Sequence, residues 1–411
     1  MAEKVLPSVG TEIEVTVERI VPGGAGLARH GGLVVLVERG APGDVVRVRI
    51  DRTKGQTAFA SIASIITPSP GRIADAHPAI AGAGADLQHL SYEAELAAKR
   101  GIVEDSLRRI AGVEEMPDIE TVPSPEIWNY RTVVEWQVDL GRREIGQRRR
   151  GSHQVVDLEQ DPLVVPVLNE VLTGLRAKLR RNDVVAPAGV VRAIAGDGAV
   201  DFIPPPPGES RTVLTNTVLG TPFRLDARCF LQVNRSAVPN LVHRALTGWP
   251  TEEGPIFDLY GGIGLFATLS GREARDIVVV ESHTPSADYA RENLDAAGLS
   301  RARVRPVPVE TFLHGWDKRR RPAVVLLDPP RAGAGAEVIG HLLRLRPRRL
   351  VYVSCDPATL ARDLRPLLAS GFQIDRCSVV DMFPRTHHVE TVVHLTVDDD
   401  APGETVPVAE A

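Results

Sequence analysis

The sequence is poor in cysteine, with three in 411 residues, at positions 229, 355 and 377. So few thiols, at no short repeated spacing, exclude a disulfide framework and a four-thiolate zinc site and fit a reducing compartment. No stretch reaches the roughly 18 consecutive apolar residues of a membrane helix, and the opening MAEKVLPSVG carries no apolar run of the signal type. A cytoplasmic protein with no membrane partner is therefore expected. Positive charge is not in surplus either, because the formal net charge is −5. Any nucleic-acid partner would have to be gripped by local basic patches rather than by the bulk field. No internal repeat is apparent.

What is present divides into three parts and a tail. Residues 1–67 read as a small β-barrel: Ile13, Val15 and Val17 alternate with polar neighbours, LVVLV follows at 33–37, and Val46, Val48 and Ile50 alternate again. The glycine-dense turns PGGAG and RHGG suit tight hairpins, and Arg29, His30, Arg47, Arg49 and Arg52 offer it a basic face. TPSPGR at 67–72 reads as a linker.

Residues 68–222 read as a central α+β domain. It contains a helix over 91–112, expected to pack on the catalytic part, a second helix around 163–180, and two basic clusters, GRREIGQRRR at 141–150 and RAKLRR at 176–181. Either cluster suits phosphate contact, although such runs are usually solvated faces. From 223 to 400 short apolar strands (PIFDLY, DIVVVE, AVVLLD, RLVYVSC) alternate with helical patterns. That rhythm predicts an α/β fold, a Rossmann-like doubly wound sheet with its chemistry at the carboxyl ends of the strands. The acidic tail 401–411 reads as disordered.

The strand ends carry the chemistry. PIFDLYGGIGLF gives an apolar strand, Asp258, and a glycine-rich turn, and Glu281 ends the next strand 23 residues beyond Asp258, where a carboxylate binds ribose hydroxyls. GGIGLF lacks the third glycine of a pyrophosphate-binding loop, which favours S-adenosyl-L-methionine over a dinucleotide. Asp328 ends another strand in LLDPPRAG. Arg331 stands where base-amine methyltransferases often carry a stacking aromatic residue, so an exocyclic amine is the less expected target. Cys355 ends RLVYVSC just before a helix whose dipole is expected to lower its pKa, whereas Cys229 and Cys377 read as packed small hydrophobes. A thiolate adding to carbon 6 of a pyrimidine activates carbon 5 toward a methyl sulfonium, and the adduct then needs a base. Glu390, His387 and His388 are the candidates for that base.

In this order, FLQVN (230–234), DLYGGIG (258–264), LDPPRAG (327–333), YVSCDPATLARD (352–363) and DMFPRTHHVE (381–390) resemble the bacterial RNA 5-methyluridine methyltransferases over nearly the whole chain. The N-terminal barrel is similar to a TRAM domain, an OB-like RNA-binding module. The resemblance implies methylation of uridine in ribosomal or transfer RNA by a monomeric enzyme. It also implies that Gln232, Tyr260, Glu281 and Asp328 contact S-adenosyl-L-methionine, that Cys355 is the nucleophile, and that Glu390 accepts the proton. RNA cytosine-5 methylation and an inert RNA-binding protein are the alternatives.

Three departures stand out. Many relatives carry four cysteines for an iron–sulfur cluster, but ADAHPAIAGAGAD before LQHLSYEAELAAK has none, and Asp161 stands at the place of the fourth. No iron–sulfur cluster and no metal site is therefore expected. Gly261 occupies a position where cysteine is common, a change expected to affect packing alone. Asp356 follows the nucleophile where asparagine is frequent. It adds a negative charge that a neighbouring arginine would have to offset.

Overall fold

The computed structural model describes residues 8–181, 183, 189–205, 210–249, 254–271, 276–317 and 319–397. The tail expected to be disordered lies outside the described residues. Strands β1 (Glu12–Ile20), β2 (Gly26–His30), β3 (Leu33–Val37), β4 (Val45–Lys54) and β5 (Thr57–Thr67) close a barrel in the order β1-β2-β3-β5-β4. The alternating valines do what their period predicts, with Val15, Val17, Val46, Val48 and Ile50 all inside.

Helix α1 (Tyr92–Ser106) starts at Ser91, whose hydroxyl accepts from the Ala94 amide. It runs on through a π-turn, Leu107–Ala111, and stops at Gly112, whose φ of +78° is the left-handed geometry of a helix end. A short strand, β6 (Ile119–Val122), follows. The sheet of the central segment contains β7 (Val133–Asp139), β8 (Glu144–Arg148), β9 (Val155–Asp157), β10 (Val190–Ala195) and β11 (Val200–Ile203), with helix α2 (Pro166–Arg180) packed on it. Its order is β11-β10-β7-β8-β9. A hairpin, β12 (Leu214–Val218) and β13 (Thr221–Leu225), leads into the last part.

That part alternates as expected: α3 (Val238–Leu246), β14 (Ile256–Leu259), α4 (Leu265–Leu269), β15 (Ile277–Val280), α5 (Thr284–Ala296), β16 (Arg303–Arg305), α6 (Val309–His314), β17 (Val324–Leu327), α7 (Gly335–Leu345), β18 (Arg349–Ser354), α8 (Pro357–Ala369), β19 (Phe372–Val380) and β20 (Glu390–Val397). The eight-stranded sheet has the order β16-β15-β14-β17-β18-β20-β19-β6. Strands β14, β15 and β17 are buried on both faces, which is why they read as unbroken apolar runs.

Two parts of the 68–222 segment join this sheet rather than the central one. Strand β6 pairs in parallel with β19 at its edge, Val122 against Val380. Helix α1 and its π-turn pack with α8 in one apolar cluster that includes Val103, Leu107, Leu360 and Leu364. The strand was not foreseen, because four residues reading IETV carry too short a pattern to assign a sheet.

Candidate active site

Strands β14, β15, β17 and β18 run parallel, so Tyr260, Glu281, Asp328 and Cys355, each just past a strand end, gather along one edge. Strand β20 runs antiparallel to β18, and its beginning therefore lies at the same edge. The ladder ends at Ser354 opposite Thr391, so that positions 355 and 390 face each other one step beyond it. The pairing register thus brings a cysteine and a glutamate together from 35 residues apart.

The glycine-rich turn is cradled by carboxylates. Glu281 Oε2 accepts from the Gly262 amide at 2.9 Å, and its Oε1 accepts from the His283 amide at 2.7 Å. Asp258 Oδ2 accepts from the Ala267 amide at 3.0 Å. Tyr260 at φ +60° and Gly264 at +83° take the left-handed conformations that let the chain turn back from β14 into α4. Gln232 Nε2 donates to Asp328 Oδ2 at 3.1 Å. Gln232, Tyr260, Gly262 and Asp328 line a pocket that is also walled by Phe223, Phe230, Leu231, Ile263 and Phe266.

Burial dominates the electrostatics. It raises Asp258 and Asp328 to about 7 each, helped at Asp328 by the charge of Asp258 and at Asp258 by that of Glu281. Glu390, 3% exposed with Oε1 unpartnered, is pushed well above the usual carboxylate range by burial and then by Asp328. The Cys355 thiol is likewise pushed up to about 12, by burial first and Glu390 second, with Arg331 pulling it down. The lowering expected from the dipole of α8 is thus outweighed. Asp356 contributes only a lesser upward push, since its Oδ1 caps α8 by accepting from Ala358 and Thr359 at 3.0 and 2.9 Å. Arg331 is the offsetting arginine; reading the Pro-Pro motif only for a missing aromatic passed over it.

The histidines are differently occupied. His387 Nδ1 lies 2.6 Å from Asp86 Oδ2, and despite its burial this partner holds Asp86 below the usual carboxylate range. Burial lowers His388 to about 3, its ring packs 4.2 Å from that of His387, and Arg331 Nη2 lies 3.2 Å from its Nε2. Behind the loop that carries them, Lys99 donates to Glu95, Asp381 and the Phe383 carbonyl, Arg385 donates to the Leu90 carbonyl, and Tyr92 donates to Asp381. Sequence reasoning missed this network. A Glu95–Lys99 pair four residues apart looks like an exposed helix pair.

Asp161, fully buried, accepts from Trp136 Nε1, Gln147 Nε2 and the Leu163 amide at 3.3, 2.6 and 3.1 Å. Nearby, Ile80 and Ala85 pack into the same apolar cluster as Trp136 and Leu163. Among the described residues no group of three or more His, Cys, Asp or Glu is placed to hold a metal ion. Of the two basic clusters, the second is partly spent inside the protein: Arg176 forms ion pairs with Asp157 and Glu159, and Arg180 lies 3.6 Å from Asp157. Arg150 of the first cluster instead lines a cleft with Arg39 and Arg52 of the barrel.

Residues 218–398, which span this edge of the sheet, match the sequence pattern of the tRNA (uracil-5-)-methyltransferase family, and residues 8–63 match the TRAM domain. An uncharacterized RNA methyltransferase of Corynebacterium glutamicum is 32% identical, covering 95% of this chain and 98% of its own. The chain belongs to the RNA (uracil-5-)-methyltransferase family. The 23S rRNA (uracil(1939)-C(5))-methyltransferase RlmD of Pseudomonas putida is 30% identical over 93% of each chain. The fold of this methyltransferase is also that of the tRNA (uracil-54, C5)-methyltransferase of Pyrococcus abyssi, solved in complex with S-adenosyl-L-homocysteine. The TM-score is 0.72, with 23% identity over 93% of this chain and 100% of that one. No helix of the described residues is long and apolar enough to cross a membrane.

Proposed function

We propose that this methyltransferase transfers the methyl group of S-adenosyl-L-methionine to carbon 5 of a uridine in ribosomal or transfer RNA, through a covalent bond between Cys355 and carbon 6. The opposition of positions 355 and 390 beside Asp328 carries the reading, because the reaction needs a nucleophile and a base on one ring. The pocket suits the cofactor: apolar walls, a glycine turn open to close backbone approach, and Asp328 as an acceptor for an ammonium group, with Glu281 on the far side of that turn as an acceptor for hydroxyl groups. Gln232 and Tyr260 complete it. When bound, the cofactor supplies a methyl group on a positively charged sulfur.

Cys355 gives its proton to solvent as the uridine docks, its thiolate bonds to carbon 6, and the ring pair moves to the carbon 4 oxygen as an enolate. Carbon 5 then bonds to the methyl carbon, leaving the S–C pair on the cofactor sulfur. The Glu390 carboxylate takes the proton from carbon 5, the carbon 5–carbon 6 double bond re-forms, and the thiolate leaves. Burial that raises the pKa of Glu390 makes its ionised form the stronger base. The uridine must leave its stack to reach this edge, and Arg39, Arg52 and Arg150 in the cleft beside the barrel, which Glu38, Asp51 and Asp86 also line, are the groups there that could meet flanking phosphates. A cytoplasmic, monomeric enzyme is part of the same proposal, and 23S rRNA is the first substrate to try.

Labelled methyl transfer to RNA tests the reading. Cys355→Ala is expected to abolish turnover while still binding S-adenosyl-L-homocysteine, and Glu390→Gln to accumulate a protein–RNA adduct that survives denaturation. Methylation by the alanine variant, or label in cytidine rather than uridine, would overturn it.

A further inference from the structure

The inner face of β12 presents Leu214, Asn216 and Val218, and β13 adds Phe223 and Leu225; every one of these but Asn216 belongs to the apolar core beside the sheet. Asn216 is 3% exposed, pairs across the hairpin with Phe223, and has a side-chain Oδ1 with no hydrogen-bond partner. An amide buried in this way weakens the fold unless something else satisfies it. It lies in the wall of the pocket formed by Gln232, Tyr260, Gly262 and Asp328, among phenylalanine, leucine and isoleucine side chains that bring no donor. A ligand seated in this pocket can supply the missing partner.

We propose that Asn216 reads the amino-acid end of the cofactor, its side-chain carbonyl accepting a hydrogen bond from the α-ammonium group. The position decides which end. Strand order is β15-β14-β17, so Glu281 at the end of β15 and Asp328 at the end of β17 flank the glycine turn on opposite sides. The ribose belongs with Glu281, which does not line this pocket, and the pocket that holds Asn216 opens on the Asp328 side. A hairpin outside the doubly wound sheet thereby supplies a specificity contact for a ligand held by that sheet. The assignment rests on the cofactor reading above.

Titration calorimetry with two ligands separates the two. S-adenosyl-L-homocysteine carries the amino-acid end, while 5′-methylthioadenosine keeps the adenosine and thioether but lacks it. Asn216→Leu, which preserves volume, is expected to weaken S-adenosyl-L-homocysteine by about ten- to a hundredfold, the range for a hydrogen bond to a charged group. It should leave 5′-methylthioadenosine within about twofold. The ligand-free variant should melt no lower than the parent, since leucine carries no unpaired carbonyl. Unchanged affinity for S-adenosyl-L-homocysteine, an equal loss for both ligands, or a melting point lowered by several degrees would overturn the assignment. A parent protein that binds neither compound would instead remove the cofactor reading, and this assignment with it.

Discussion

Lys99 Nζ donates to Asp381 Oδ1 at 2.7 Å, joining two residues 282 positions apart in a site closed to solvent. The same ammonium reaches Glu95 at 2.8 Å, and Glu95 in turn accepts from the backbone amide of Arg385. Helix α1 thereby clamps the loop 381–389 that delivers the histidines and Glu390 to the site. Lys99→Met would leave buried Asp381 without its cation and Glu95 with only Arg385, 3.4 Å away, a defect worth about 3–5 kcal/mol. Denaturant unfolding near pH 7 should show that loss. Turnover should fall with it.

The elevated thiol predicts slow chemistry at rest. With Cys355 at about 12, iodoacetamide should label it slowly near pH 8 and faster as pH rises. Arg331 is the neighbour that draws the thiol pKa down, so Arg331→Ala should slow labelling further at every pH. Peptide mass spectrometry distinguishes Cys355 from Cys229 and Cys377, both of which are buried. Faster labelling of the Arg331 variant would contradict the electrostatic account.

Asp328 should make the ligand-free enzyme's stability depend on pH in a definite direction. Its carboxyl titrates near 3.8 when unfolded and near 7 when folded, so between those values the folded protein holds the extra proton. Stability from this group is therefore full below about pH 4 and is lost as pH rises toward about 7. Asp328→Asn removes that dependence. The variant should gain stability relative to the parent as pH climbs through this window, in melting curves recorded without ligand.

Gly261 is matched to its neighbour. A Cβ there would stand 2.5 Å from Val279 Cγ1 on the buried strand β15. Gly261→Cys should cost about 1–3 kcal/mol through overpacking. Adding Val279→Ala should recover part of that loss, as a double-mutant cycle of melting or denaturant curves would read.

Much of this was legible in the chain itself. The alternating valines of the barrel and the unbroken apolar runs of β14, β15 and β17 reflect burial on one face or two, and burial patterns are local. The motif around Cys355 and the carboxylate Glu281 were likewise readable, because a strand end followed by a helix is a short-range signal. β6 was not, and neither was the network of Tyr92, Glu95 and Lys99, since each takes its meaning from partners more than 250 positions away.

Sequence alone determined which chemical groups this protein has to work with: one cysteine at a strand end, a glutamate before the last strand, a glycine turn and its acids. Tertiary structure decided how those groups behave. The antiparallel pairing of β18 and β20 sets Cys355 against Glu390, burial raises both pKa values, and folding the β12–β13 hairpin over the pocket leaves Asn216 with an unpaired carbonyl. Charge state and hydrogen-bond satisfaction depend on which atoms exclude water, and that is set only once distant segments have packed.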